Sequence, residues 1–288
     1  MIQQDLGLMS DTVIIFGGPY SNFQATQAMY SEAQKMGVPA SHIICTGDLV
    51  AYCGDPEATV NFLKQWGIPV AMGNCEESLA QDASDCGCGF EEGSTCSLLS
   101  SGWYAFAQQY TSMDSRHWMA SLPRQIRFQF AGRRFVCVHG GFQQINQFIF
   151  QSTPEDIKQK QLIEAEADVM IGGHCGIPFG QKLESGLWLN AGVIGMPAND
   201  GTPNGWYMTL NEISHDIHIS WHRLNYDTAG AQASMKEKGL DTPYAKALAT
   251  GRWPSVDILP DAEKNQTGIP LSVASLTMPG QLTPSITS

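Results

Sequence analysis

The sequence contains few charged residues and no apolar run long enough to cross a membrane. No stretch approaches the ~18 consecutive apolar residues of a transmembrane helix, and charged residues make up only 15% of the chain. Residues 1–11 include no Lys or Arg and no apolar segment of the kind found in a secretory signal. We therefore expect a cytoplasmic protein whose eight cysteines are reduced thiols.

Basic residues are also scarce. The chain has 16 Lys and Arg against 28 Asp and Glu, which gives a formal net charge of −12. A protein that binds a nucleic-acid backbone needs the opposite sign, so we expect no nucleic acid as partner. The same negative charge argues against an anionic membrane surface as partner.

The composition is nevertheless that of a folded protein. Hydrophobic residues make up 43% of 288 residues, enough to bury a sizeable core and to exclude wholesale disorder. We expect a single domain over residues 1–250. The remainder, 251–288, is rich in Pro, Ser and Thr. We expect residues 251–271 to lie as a strap on the surface and 272–288 to be disordered.

Apolar runs alternate with helical patterns, which is typical of a layered α/β fold. Strands are predicted at 12–16, 42–45 and 68–72, with helices at 22–36 and 56–66 between them. Such strand–helix repeats favour a parallel sheet with functional loops at the carboxyl ends of its strands. Further on, the pattern predicts an ordered loop or lid at 81–101, a hairpin formed by 126–130 and 133–138, and a more antiparallel second half.

Five short loops carry the residues that could bind a metal or take part in catalysis, and each loop follows an apolar strand. They are Gly17-Gly18-Pro19-Tyr20-Ser21-Asn22, Gly47-Asp48, Gly73-Asn74-Cys75-Glu76, His139-Gly140-Gly141 and Gly172-Gly173-His174-Cys175-Gly176. One Asp, one Asn and two His from separate strand ends form a set of oxygen and imidazole ligands that suits Mn, Zn, Fe or Mg-type divalent ions. The loops therefore predict a metal site.

The order of these loops resembles the calcineurin-like metallophosphoesterase superfamily, in particular its small bacterial branch with the motifs D-x-H, G-D, G-N-[CHD], H-[GA] and G-H-x-H. The resemblance covers residues 12–198, and the five loops that correspond to these motifs occur in the right order. It implies a four-layer αββα fold, a β-sandwich flanked by helices. It also implies a phosphoester hydrolase with two metals at one sheet edge, where a metal-bound hydroxide attacks phosphorus in line.

The match is incomplete in one consistent way. The resemblance implies that one metal is held by Asp48, Asn74, His139 and His174, all of which are present. The unshared ligand positions of the other metal fall on Gly18, Tyr20 and Gly176, none of which matches the family motif. Because the three losses belong to the same metal, we expect one divalent ion per chain. Mn, Fe and Zn fit its ligand set, and Mg fits it less well.

A single metal changes the expected chemistry. Two ions about 3.5–4 Å apart clamp the attacking and leaving oxygens, whereas one ion can activate a water and polarise a phosphoryl oxygen. We therefore expect a small phosphorylated molecule as substrate, with a demanding diester less suitable than an activated ester or a monoester. Cys75, Glu76 and Tyr20 are candidate catalytic helpers. For Tyr20 the alternative is that it fills the space of the missing metal.

Two other functions remain open from the sequence. The protein could be a non-hydrolytic binding or regulatory protein that senses a metal or a phosphorylated metabolite on the same fold. It could also be a one-metal enzyme of different chemistry aided by cysteines. The crowded thiols of Cys86, Cys88 and Cys96 fit either extra metal or thiol chemistry, or a lid with buried cysteines.

Overall fold

The computed structural model describes residues 2–240 and 242–281, which form two β-sheets and the helices that cover them. The strands are β1 (Gln3–Met9), β2 (Thr12–Phe16), β3 (Ile43–Cys45), β4 (Gln125–Phe130), β5 (Arg133–Val138), β6 (Val169–Gly172), β7 (Phe179–Leu183), β8 (Gly186–Asn190), β9 (Gly205–Ile213), β10 (Asp216–Leu224) and β11 (Leu276–Pro279). The α-helices are α1 (Phe23–Met36), α2 (Pro56–Trp66), α3 (Asn74–Ala80), α4 (Thr95–Tyr110), α5 (Met113–Ala120), α6 (Glu155–Glu164), α7 (Thr228–Glu237), α8 (Pro243–Thr250) and α9 (Asp261–Lys264). No described helix is both long and apolar enough to span a bilayer.

The strands form two mixed sheets. One sheet has the order β1-β4-β5-β6-β8-β7, and the other has the order β11-β10-β9-β2-β3. Each sheet contains a parallel pair that leads to predicted functional loops: β5 with β6 in the middle of the first sheet, and β2 with β3 at one end of the second. The loops that leave β2, β3, β5 and β6 therefore start from carboxyl strand ends, as the sequence predicts.

Successive side chains of a strand point alternately to the space between the two sheets and to the helices outside. Val13 and Ile15 of β2 pack between the two sheets, whereas Ile14 and Phe16 face the helices outside. In the same way, Phe135 of β5 faces the other sheet and Val136 faces an outer cluster that includes residues of α6. The result is the expected α/β architecture, a β-sandwich flanked by helices in four layers.

Many local predictions are confirmed. The strand at 12–16, the helix at 56–66 and the hairpin of β4 and β5 agree with the structure. Helix α1 begins where expected, because Asn22 accepts a hydrogen bond from the N–H of Ala25 at 3.0 Å. It ends at Gly37, whose φ of 68° is left-handed.

Three predictions are wrong in part. Residues 68–72 form only a bridge between Val70 and Cys45, since Pro69 has no N–H to extend a ladder. The predicted loop 81–101 is shorter, because Ser94 caps α4 by accepting from the N–H of Ser97. Part of the segment expected to be disordered is ordered, since β11 pairs with β10. The rest of that prediction, residues 282–288, lies outside the described part of the chain.

Some elements were not predicted at all. These are β1, β7, α3 and α9, and each is short or has an irregular pattern of apolar residues. Helix α3 matters most, because it begins at Asn74, in the middle of a segment interpreted as a loop.

Candidate metal centre

Four predicted ligands converge where the carboxyl ends of the two sheets meet. Asp48 follows β3, Asn74 begins α3, and His139 and His174 follow β5 and β6. The Nε2 atom of His139 lies 3.0 Å from Asn74 Oδ1, 3.0 Å from His174 Nδ1 and 3.2 Å from Asp48 Oδ2. Asp48, His139 and His174 form the one group of potential metal-binding side chains found in the described residues. All four side chains are buried.

Two hydrogen bonds decide which atoms face this cluster. His139 Nδ1 lies 2.8 Å from the carbonyl oxygen of Thr46, which can only accept, so Nδ1 carries a proton. Asn74 Nδ2 donates to the carbonyl of Cys86 at 2.8 Å, so its Oδ1 points inward. The inward atoms are thus a carboxylate oxygen, an amide oxygen and two imidazole nitrogens.

This set of atoms requires positive charge. While both imidazoles are neutral, His139 Nε2 presents a lone pair, and only His174 Nδ1 can donate, to a single acceptor. When that proton goes to His139 Nε2, 3.0 Å away, the inward oxygens Asp48 Oδ2 and Asn74 Oδ1 lack a donor within the cluster, which is costly away from water. A cation at the centre would satisfy all four inward atoms, and the set matches the ligands of Mn, Fe and Zn.

The pKa values of the two imidazoles move in opposite directions. Burial opposes a charge on His139, but the Asp48 carboxylate and the Thr46 carbonyl outweigh it, and the pKa of His139 lies above its ordinary value. For His174, burial and the charge of His139 lower the pKa to about 3. Of the two imidazoles, His139 is therefore the one that takes up a proton more readily.

Asp48 is held in a strained backbone conformation. Its φ of 57° lies in the left-handed region, which costs a non-glycine residue about 1 kcal/mol or more. Glu76 holds it there: its carboxylate accepts from the N–H groups of Asp48 at 2.8 Å, Leu49 at 2.7 Å and Gly73 at 2.9 Å. Burial and the charge of Asp48 raise the pKa of Glu76 to about 7. Glu76, predicted as a catalytic helper, thus lies behind the cluster with its oxygens occupied.

Cys75 also contacts Asp48 from behind. Its N–H lies 3.4 Å from Asp48 Oδ1, and its thiol interacts with the same carboxylate. A hydrogen bond from Cys88 favours a thiolate, but burial and Asp48 raise the pKa of Cys75 well above its ordinary value. The thiol is therefore neutral and suited to hydrogen bonding rather than to nucleophilic attack.

A cavity of about 60 Å³ opens beside Asp48 and His174. Its walls are largely aromatic, and the rings are those of Tyr20, Tyr52, Phe90, Phe148, Tyr244 and Trp253. Cys88, Cys96 and Cys175 line it as well, and no Lys or Arg does so within the described ranges. Sequence reasoning missed Thr46, Phe148 and Trp253. Thr46 could have been noticed as the last residue before the Gly47-Asp48 turn, whereas no motif marks the two rings.

Comparison with known proteins identifies the family of the chain. Residues 5–214 match the family described as the calcineurin-like phosphoesterase superfamily domain. The chain belongs to this superfamily. It is 21% identical to an uncharacterized protein of Methanocaldococcus jannaschii over 263 residues, 85% of this chain and 100% of that protein.

Two crystal structures share the fold. A hypothetical protein of Pyrococcus horikoshii superposes with a TM-score of 0.70 at 14% identity, over 83% of this chain and 98% of the other. A metallophosphoesterase of Sphaerobacter thermophilus gives a TM-score of 0.63 at 21% identity, over 84% and 100%. At these identities the likeness supports the fold of the calcineurin-like superfamily.

The positions that the superfamily resemblance assigns to a second metal do not fit one here. A Cβ atom at Gly18 would lie 2.5 Å from Val193 Cγ1 and 2.6 Å from the Tyr20 ring. A Cβ built at Gly176 would lie 3.7 Å from both Trp253 and Val193 and 3.8 Å from the Tyr20 hydroxyl. Carbon atoms of Tyr20 and Val193 thus fill the space beside Gly18. Burial and the charge of Asp48 raise the pKa of Tyr20, so its phenol is neutral.

We predict that Gly18→Ala lowers the free energy of unfolding by about 2–4 kcal/mol, because the added methyl group overlaps Val193 and Tyr20 in a left-handed residue. Gly176→Ala is the matched control. It has the same sign of φ, but its Cβ meets nothing closer than 3.7 Å, so the cost is about 1 kcal/mol. Urea unfolding of both variants measures the difference. Equal costs would mean that the space beside Gly18 is not filled as described.

We further predict that Glu76→Gln weakens metal binding about 10–100-fold, as expected when a residue that orients a ligand is changed. It also lowers the free energy of unfolding by about 1–3 kcal/mol, since one buried N–H loses its acceptor. Glu77→Gln, which weakens only the ion pair with Arg124, is the control and changes both quantities little. Titration with Mn²⁺ and urea unfolding measure these effects. Unchanged metal affinity in Glu76→Gln would argue against its role in holding Asp48.

Proposed function

We propose that this protein is a phosphoesterase that uses one divalent cation, bound by Asp48, Asn74, His139 and His174, to hydrolyse a small phosphorylated molecule. The observation that carries the proposal is the group of acceptor atoms that surrounds His139 Nε2. Together these atoms have more lone pairs than there are protons to share among them. Membership of the calcineurin-like superfamily supports phosphate esters as the substrate class.

The donor set supports Mn, Fe or Zn as the ion, since two nitrogen and two oxygen ligands are borderline rather than purely hard. When bound, such an ion lowers the pKa of a coordinated water and polarises a phosphoryl oxygen. The residues of the chain supply the rest. Thr46 fixes the tautomer of His139, and Glu76 and Cys75 hold Asp48 in place.

The cavity supports a role for Tyr20 as well. Tyr20 lines the cavity together with Asp48 and His174, and its neutral phenol can donate a hydrogen bond to a phosphate oxygen. The inner walls are buried and keep bulk water away from the polar end of the cavity, which strengthens electrostatic interactions there. We assign Tyr20 to substrate contact, and Glu76 and Cys75 to positioning of Asp48.

We predict that the purified protein binds one metal ion per chain and hydrolyses p-nitrophenyl esters of phosphate. Asp48→Asn and His174→Ala should each reduce turnover at least about 100-fold, since losing a ligand costs more than losing a residue that orients one. Elemental analysis and a chromogenic assay with added Mn²⁺ measure both. Asp114→Asn and His117→Ala, exposed on α5, are controls that should retain ion and activity.

The metal analysis and the hydrolysis assay can each contradict a different part of this proposal. Two tightly bound ions per chain would overturn the single-cation proposal. One ion per chain with no turnover of any ester would favour the alternative, a binding or regulatory protein that retains the metal site.

A further inference from the structure

Apolar rings frame the outer part of the cavity. Of its lining residues, Asp48 and Tyr20 are buried, whereas Phe90, Phe148, Trp253 and Ile258 are half-exposed. The polar end is therefore deep, and the side facing solvent is apolar. The cavity of about 60 Å³ has room for little more than a phosphoryl group, so the ester groups of a ligand that reaches the cluster would lie at the mouth, against these half-exposed rings.

The rings are held in position before any ligand arrives. Phe148 packs on the imidazole of His174, with ring centres 4.1 Å apart, and stacks on Phe90 at 6.4 Å. Trp253 is fixed from another part of the chain. Its indole N–H donates to the carbonyl of Pro197 at 2.6 Å, and its backbone N–H donates to Asn199 at 2.8 Å. Rigid aromatic walls bind apolar groups at low cost in conformational entropy.

The charges around the cavity limit what can bind at its deep end. Asp48 is the only carboxylate in the lining, and no lysine or arginine contributes to it in the part of the chain that the structure describes. With one divalent cation beside Asp48, and with the buried carboxylate of Glu76 behind it, at most a single positive charge remains in excess. That charge balances one negative charge on a ligand, whereas a dianion or polyphosphate would bring uncompensated charge into a poorly hydrated space.

We propose, on the basis of the function proposed above, that the site selects phosphoryl compounds with one negative charge and an aromatic or apolar ester group, which Phe148 and Trp253 contact. Aryl and alkyl diesters belong to this class. Nucleoside polyphosphates and simple monoester dianions do not. The sequence makes only a demanding diester less suitable and leaves activated esters and monoesters open, and the charge of the cavity favours diesters with a good leaving group over monoester dianions.

The test is equilibrium binding, which needs no turnover. The Mn²⁺-loaded protein is titrated by calorimetry with diphenyl phosphate, dimethyl phosphate, phenyl phosphate and inorganic phosphate. The titrations are run at about pH 8, above the second pKa of ~6 of a phosphate monoester. We expect the Kd of diphenyl phosphate to be at least about tenfold lower than that of each other ligand, the effect of burying one ring. Dimethyl phosphate separates the effect of charge from that of the rings.

Phe148→Leu and Trp253→Leu should each raise the Kd of diphenyl phosphate about 5–20-fold and leave that of dimethyl phosphate unchanged. Damage to the whole site would weaken both ligands and so would contradict a specific contact. Trp118→Leu, a half-exposed tryptophan on α5, is the matched control and should change neither.

Equal binding of all four ligands, or tighter binding of phenyl phosphate, would overturn the inference. So would Trp253→Leu and Phe148→Leu variants that behave like the control. Selective binding of diphenyl phosphate without hydrolysis of its p-nitrophenyl analogue would support the selectivity and refute the proposed hydrolase. Hydrolysis of the p-nitrophenyl analogue without selective binding of diphenyl phosphate would support the proposed hydrolase and refute the selectivity.

Discussion

The hydrogen bond from His139 Nδ1 to the carbonyl of Thr46 connects the two halves of the molecule. His139 follows β5 of one sheet, and Thr46 follows β3 of the other. Because a carbonyl oxygen cannot donate, this bond fixes the tautomer of His139 and leaves Nε2 facing Asp48, Asn74 and His174. The excess of acceptors at the centre, on which the proposed cation site rests, follows from this contact.

The surrounding structure maintains that arrangement at some cost. Asp48 occupies a left-handed conformation, and Glu76 is buried with its oxygens taken up by three backbone N–H groups. Such strain persists only where neighbouring contacts determine the conformation. Helix α3 provides both Asn74, which faces the centre, and Glu76, which braces the loop of Asp48, so one helix end positions two of the four side chains.

Beside this centre, apolar groups occupy the space where the superfamily resemblance would place charged or polar ligands. Where the superfamily resemblance places ligands of a second metal, Tyr20 and Val193 bring carbon atoms together, and Trp253 arrives from the C-terminal segment. An apolar neighbourhood leaves fewer charges to neutralise a bound anion and offers more surface to an apolar group. The same substitutions thus account for the single proposed cation and for the proposed preference among ligands.

Sequence patterns were sufficient for the elements defined by local chemistry. Asn22 and Gly37 delimit α1 through capping and a left-handed turn, and the alternation of apolar residues identifies β2 and the β4–β5 hairpin. Patterns were insufficient where a neighbour decides the structure. Strand β11 forms because β10 offers it a free edge, although its own composition indicates disorder. Residues 68–72 have a strand-like composition, yet only one bridge forms there.

The same distinction between local pattern and tertiary contact applies to the candidate site. The sequence by itself determined which side chains were available: an Asp, an Asn and two His at strand ends, with three motif positions altered. Only the tertiary structure decided that Glu76 lies behind Asp48, that Tyr20 occupies the space beside Gly18, and that Phe148 and Trp253 wall the cavity. Motifs record residues close together along the chain, whereas a cavity is made by segments such as 148 and 253 that meet only when the chain folds.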